Sequence, residues 1–297
     1  MSAMLARVGW QANWWEILQT SFMRHAFVAG ALVAVAAGLA GYFVVLRRDA
    51  FAAHALAHIG FPGATGAILV GVPVTLGLSI FCVGGALAIG VLGKNIARRE
   101  IATGTVLAFA TGLGVLFNSL ASRSSTTLTN VLFGNLLAVS TGQITVFAIF
   151  TLALVIALAL IARPLVFVSV DPDVAEARGL PVAALGTVFM ILLALAVAMA
   201  VQVVGTLLLF ALLVTPAATA LSFTARPAVV VPSAVGLALG SIWLGLVVSA
   251  MLNLPPSFLI VAVSVLVWAI VSLATRKRRT RPMIVDAHHP DHSHALH

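Results

Sequence analysis

The sequence predicts an all-α fold, a polytopic bundle of about nine transmembrane helices, and three observations lead there. Of 297 residues, 62% are hydrophobic and 8% charged, with a mean hydropathy of +1.16. A water-soluble domain carries about 25% charged residues, so this chain lacks the polar surface for life in water. Apolar runs of roughly 20 residues recur, the length a helix needs to cross about 30 Å of hydrocarbon. Finally, Lys and Arg gather in short clusters between the runs, as they do on the cytoplasmic side of membrane proteins. Short segments of alternating polarity, the mark of a membrane β-barrel, are missing.

The runs fall at about 23–46, 51–71, 73–93, 101–121, 144–162, 183–200, 203–223, 228–250 and 254–275. Nine crossings with the N-terminus outside put Arg47-Arg48, Lys94 with Arg98-Arg99, Arg163 with Arg178, Arg226, and Arg276 to Arg281 all on the cytoplasmic side. Arg7, Arg24 and Arg123 lie outside in this scheme. The +8 net charge thus reads as membrane orientation, and no nucleic-acid partner is expected. The stretch from Ser122 to Gln143, with Asn130 and Asn135, reads as a loop with a short helix or a partly re-entrant segment; as a full span it would change the count to eight or ten. The expected organisation is an interfacial segment over 1–22, a transmembrane domain over 23–275, and a basic then His-rich cytoplasmic tail over 276–297. Trp10, Trp14 and Trp15 make the first of these an aromatic anchor in the lipid headgroups, and it matches a cleavable leader poorly. Cys82 is the sole cysteine, so no internal disulfide forms.

Small residues let membrane helices approach closely. Gly60, Gly63 and Gly66, and the pair Gly236 and Gly240, read as such contacts. Phe61-Pro62-Gly63 and Thr215-Pro216 are each expected to bend or end a helix, because proline removes a backbone donor. Carbonyls freed this way either line a pathway or mark a packing kink.

All eight acidic residues fall in loops, at helix ends or in the tail. Carriers driven by protons or sodium commonly keep an ionisable relay inside the membrane. Its absence points to an energy source outside this chain. The polar exception is His54 and His58, spaced i, i+4 on one helix face. Neutral imidazole suits zinc and the later first-row divalent metals. The two rings are either metal contacts or partners in interhelical hydrogen bonds.

Between spans five and six, Asp171 can cap a helix that begins at Pro172, with Asp173 and Glu176 at its positive end. Arg178 follows, and Gly179 and Pro181 stop it. A short cytoplasmic helix results, either a solvated connector or a docking element. In the tail, His288, His289, His292 and His294 form a tract that could hold zinc or nickel loosely. No P-loop pattern occurs, and no catalytic constellation stands out, so the chain reads as a transport subunit and not an enzyme.

The words FMRHAFVAGALVAVAAGLAGYFVVLRR from Phe22 and FAAHALAHIGFPG from Phe51 resemble the opening of the zinc/manganese ABC permease family. REIATGTVLAFATGLGVLF from Arg99, VSVDPDVAEARGLPV from Val168 and GTLLLFALLVTPAATA from Gly205 are similar to later parts of that family, and LFGNLLAVSTGQI from Leu132 more weakly so. The resemblance implies a homodimeric, multi-pass permease of a bacterial plasma membrane. It implies a cytoplasmic ABC ATPase dimer as motor, an extracellular metal-binding protein as donor, and zinc or manganese as substrate, with no cofactor bound by the chain. In that family the segment after the paired arginines carries an Asp and, four residues on, a His that are thought to contact metal. His58 matches the His, while His54 stands at the Asp position, a change that favours zinc over manganese. The stretch from Asp171 to Pro181 looks like the family segment expected to touch the ATPase.

Rival readings are a stand-alone secondary carrier or exporter, and a non-transporting scaffold or sensor using the tail. The first would work without an ATPase and is expected to show an internal repeat; the second would fail once residues after Arg281 were removed.

Overall fold

The computed structural model describes residues 14–93, 96–120 and 132–279. All regular structure among them is helical. A short helix α1 (Trp14–Gln19) leads into α2 (Ser21–Leu46), α3 (Ala50–Val70), α4 (Val74–Leu92) and α5 (Ile96–Leu120). Next come α6 (Thr141–Val170), the short α7 (Pro172–Ala177) and α8 (Val182–Val204). The chain ends with α9 (Thr206–Leu213), α10 (Thr215–Phe223), α11 (Pro227–Leu252) and α12 (Pro256–Arg279).

Eight of these helices are long and apolar enough to cross a membrane. The seventh apolar run of the sequence is the shorter, broken pair α9–α10. Gly205, at φ 85°, allows the turn that ends α8 and starts α9, and Pro216 in the first turn of α10 follows the break at Val214. Of the bend or end expected at Thr215-Pro216, the structure shows an end, which divides the run into two short helices. Pro62, by contrast, is absorbed inside α3 without ending it.

One boundary differs clearly from the sequence reading. The fifth run, expected to stop near residue 162, continues through Arg163 and Pro164 to Val170. The segment after Pro164 is again apolar, Leu-Val-Phe-Val-Ser-Val, so packing prolongs the helix past the charge. The start of α6 is fixed by a reciprocal cap. Ser140 Oγ accepts from Gln143 N–H at 3.3 Å, and Gln143 Oε1 accepts from Ser140 N–H at 2.9 Å. Before it, residues 132–139 make a short 3₁₀ turn (Leu136–Ala138) and no span. Residues 121–131, Trp10, and the tail histidines lie outside the described residues.

The core lies where α2, α3 and α8 meet. Ala26, Ala29, Val33, Ala37, Ala40 and Val44 line one buried stripe of α2, and Phe189, Leu193, Val197, Ala200 and Val204 one of α8. Alanine and glycine bring backbones together without a gap. The backbones of α3 and α4 nearly touch at Gly63 and Gly77, where a β-carbon on either would collide with the other's carbonyl. Gly60 and Gly66 sit likewise against Leu78 with Cys82 and against Phe117. Gly236 and Gly240 do not follow this pattern, since a β-carbon there would meet open space within this chain.

Candidate functional site

The histidine pair stands on α3, whose first turn is set by what precedes it. The chain leaves α2 at Arg47, turns through Arg48 in the left-handed region (φ 59°), and enters α3 after Asp49. Asp49 carbonyl accepts from Ala53 N–H at 2.9 Å, so Asp49 opens the helix. His54 and His58 then project from one face, with ring centroids 4.8 Å apart and planes 67° to each other. The helix around them is enclosed: Ala53, Ala55, Leu56, Ala57 and Ile59 are buried, while both imidazoles are half-buried.

Among the described residues neither ring hydrogen-bonds to another helix. His54 Nδ1 is buried and has no partner. A buried polar atom without a partner costs free energy, so His54 Nδ1 is a candidate to meet a ligand. The edge of His54 meets Phe210 of α9, with centroids 5.4 Å apart and planes at 85°. Thr206, one turn from Phe210 on the same helix, also has a buried hydroxyl oxygen without a partner. Pro62 adds a backbone acceptor nearby, because it has no N–H to give the His58 carbonyl four residues back. Cys82 belongs to a different face, its thiol donating to the Leu56 carbonyl at 3.4 Å.

Two imidazoles are fewer ligands than a tight metal site uses. No group of three or more His, Cys, Asp or Glu side chains that could hold a metal occurs among the described residues. An incomplete, half-open pair suits transient contact with an ion better than storage, since a site on a pathway must release what it binds.

The second candidate element forms as the sequence predicts. Asp171 caps α7, its side chain accepting from Val174 N–H at 3.0 Å, with Pro172 in the first turn. Gly179, at φ 79°, ends it, with Leu180 N–H returning to the Ala175 carbonyl at 3.1 Å. Ala175 is buried on the protein, whereas Asp171, Asp173, Glu176, Arg178 and Gly179 are exposed. The Arg178 guanidinium lies 5.4 Å from the centre of the Phe167 ring on α6. This helix shares one end of the bundle with the α2–α3 turn, since Arg47 Nη1 reaches Ser169 Oγ at 3.5 Å.

Residues 19–275, nearly the entire bundle, match the ABC 3 transport family. The chain belongs to that family. Among its relatives, the manganese transport system membrane protein MntC of Listeria monocytogenes is 32% identical over 263 residues, spanning 88% of this chain and 94% of the relative. The manganese import system permease protein ScaB of Streptococcus parasanguinis is 30% identical over 273 residues, spanning 91% and 96%. Among solved structures, PsaBC from Streptococcus pneumoniae, in complex with a Fab, superposes with a TM-score of 0.81 at 27% identity, covering 91% of this chain and 98% of that one. The family expected from the motifs is thus the one found, and the chain is a membrane-spanning ABC 3 permease.

What sequence reading missed in this ABC 3 permease is the role of Asp49. It lies at a helix end, as the sequence predicts, and there it is buried to 3% exposure and paired with two arginines. Its position directly after Arg47-Arg48 was the available signal, because a carboxylate beside paired cations at a helix junction is a natural ion-pair acceptor.

Proposed function

We propose that this chain is the permease subunit of an ATP-driven importer of a divalent transition metal, with zinc as substrate. The observation that carries the reading is the His54–His58 pair with its unpartnered Nδ1 on an otherwise enclosed helix. Two neutral imidazoles without a carboxylate favour zinc over the harder manganese ion. The relatives' names speak of manganese, so manganese uptake is the competing result to look for. Import is the direction named for ScaB.

In this reading two copies of the chain form the pore, and α7, through Asp171, Asp173, Glu176, Arg178 and Gly179, meets a separate ATPase on the cytoplasmic side. The arginine clusters support a cytoplasmic placement of that end and of the C-terminus, with the N-terminus outside. An extracellular binding protein delivers the ion, and ATP-driven alternation moves it past His54 and His58. The segments 1–22 and 276–297 are accessory to transport, the second offering at most loose metal buffering by its histidines.

The test is zinc and manganese uptake into proteoliposomes holding the chain with its ATPase and binding protein. Zinc uptake that requires ATP and collapses in His58→Ala, with normal membrane expression, is expected. Uptake without any ATPase, or normal uptake by the variant, would overturn the reading.

A further inference from the structure

Asp49 is the one charged residue fully enclosed among the described residues, with its side chain 2% exposed. Arg47 Nε donates to Asp49 Oδ2 at 3.1 Å, and Arg99 Nη1 of α5 donates to Asp49 Oδ1 at 2.5 Å. These are the two ion pairs found among the described residues, and they converge on one carboxylate. A buried charge cannot be left unpaired without a large desolvation cost, so such a cluster moves as a unit or not at all.

Arg47 reaches further than Asp49. Its Nη1 lies 3.5 Å from Ser169 Oγ, two residues before the cap of α7, and its guanidinium stands 5.4 Å from the centre of the Phe189 ring on α8. One side chain therefore touches both helices that flank α7. The same end of α6 holds α7 itself through Phe167 and Arg178. On the other side, Asp49 opens α3, and His54 follows five residues later. Arg48, between the two, holds a left-handed conformation (φ 59°) that a non-glycine residue keeps only when its neighbours fix it.

We propose that Arg47 and Asp49 are the positioning residues that connect the α7 docking helix to the histidine helix. Displacement of α7 carries the end of α6 and the start of α8, these carry Arg47, and the Arg47–Asp49 pair shifts the first turn of α3 and with it His54. Arg99 holds the same carboxylate from α5, so α3 and α5 move together. The inference rests on the importer reading, with α7 as the element the ATPase pushes.

The experiment uses the full complex in proteoliposomes and measures both zinc uptake and phosphate release. Wild type is run first; if it shows no ATP-dependent uptake, the importer reading falls, and this proposal falls with it. With wild type active, Asp49→Asn and Arg47→Gln should assemble and hydrolyse ATP at the wild-type rate. The zinc moved per ATP should fall about fivefold or more. Asp49→Glu, which keeps the charge, should restore most of the ratio. A merely structural role would lower uptake and hydrolysis together at a constant ratio. That result, or an unchanged ratio in both variants, would overturn the proposal. Should Asp49→Asn fail to assemble, Arg47→Gln decides alone, because it leaves the Arg99–Asp49 pair intact.

Discussion

The ring of His54 stands edge-on to that of Phe210, 5.4 Å away and at 85°, so the broken span α9 touches the histidine helix through one aromatic contact. Phe210 is itself 39% exposed. Replacing Phe210 by Ala removes the contact that orients His54. An edge-to-face pair contributes about 0.5–1.5 kcal/mol beyond area burial. Phe210→Ala should therefore raise the zinc concentration for half-maximal uptake about threefold to tenfold, with little change in expression. A titration of uptake rate against free zinc checks this.

The ligand chemistry predicts a switch of substrate. His54→Asp installs a hard oxygen donor one turn from His58. Carboxylate suits manganese, whereas imidazole suits zinc. The variant should gain manganese uptake relative to zinc, measured as the ratio of the two in competition. An unchanged ratio would remove His54 from the selectivity of the pathway.

The Gly63–Gly77 contact predicts a stability effect separate from transport. A β-carbon at Gly63 would run into the Gly77 carbonyl, and both are backbone atoms that cannot swing away. Gly63→Ala should cost about 1–3 kcal/mol through overpacking. The readout is the thermal midpoint of the detergent-solubilised protein, which should fall. Gly236→Ala, where open space surrounds the added carbon in this chain, serves as the control.

The cap of α7 gives a fourth prediction. Asp171→Ala removes the bond to Val174 N–H and should cost the short helix about 1 kcal/mol. Because α7 has six residues, that loss is large relative to its own stability. Binding of the isolated ATPase to proteoliposomes should weaken, while the thermal midpoint of the transmembrane bundle stays in place.

Much of this was legible in the sequence because the membrane imposes a simple rule: helices must be long, apolar and fully hydrogen-bonded. The spans, the Pro216 break and the Asp171–Pro172 cap all follow from local chemistry that a single segment carries. The overrun of α6 past Arg163 was not legible, because only packing tells whether a helix continues through a charged residue. The histidine pair was found by spacing alone. Its neighbour Phe210 was not, since the contact joins positions far apart in the chain. Asp49 lies at a helix end, as the sequence predicts, but its burial was not legible for the same reason: only a second helix brings Arg99 against it.

The length of α6 has a mechanical meaning. Thirty residues at 1.5 Å each make a rod of about 45 Å, while the hydrocarbon layer is about 30 Å thick. On the importer reading proposed above, that excess length would let the end beyond Arg163 carry α7 toward the aqueous side. An ATPase docking on α7, as that reading requires, would then meet it without wetting or thinning the bilayer beneath.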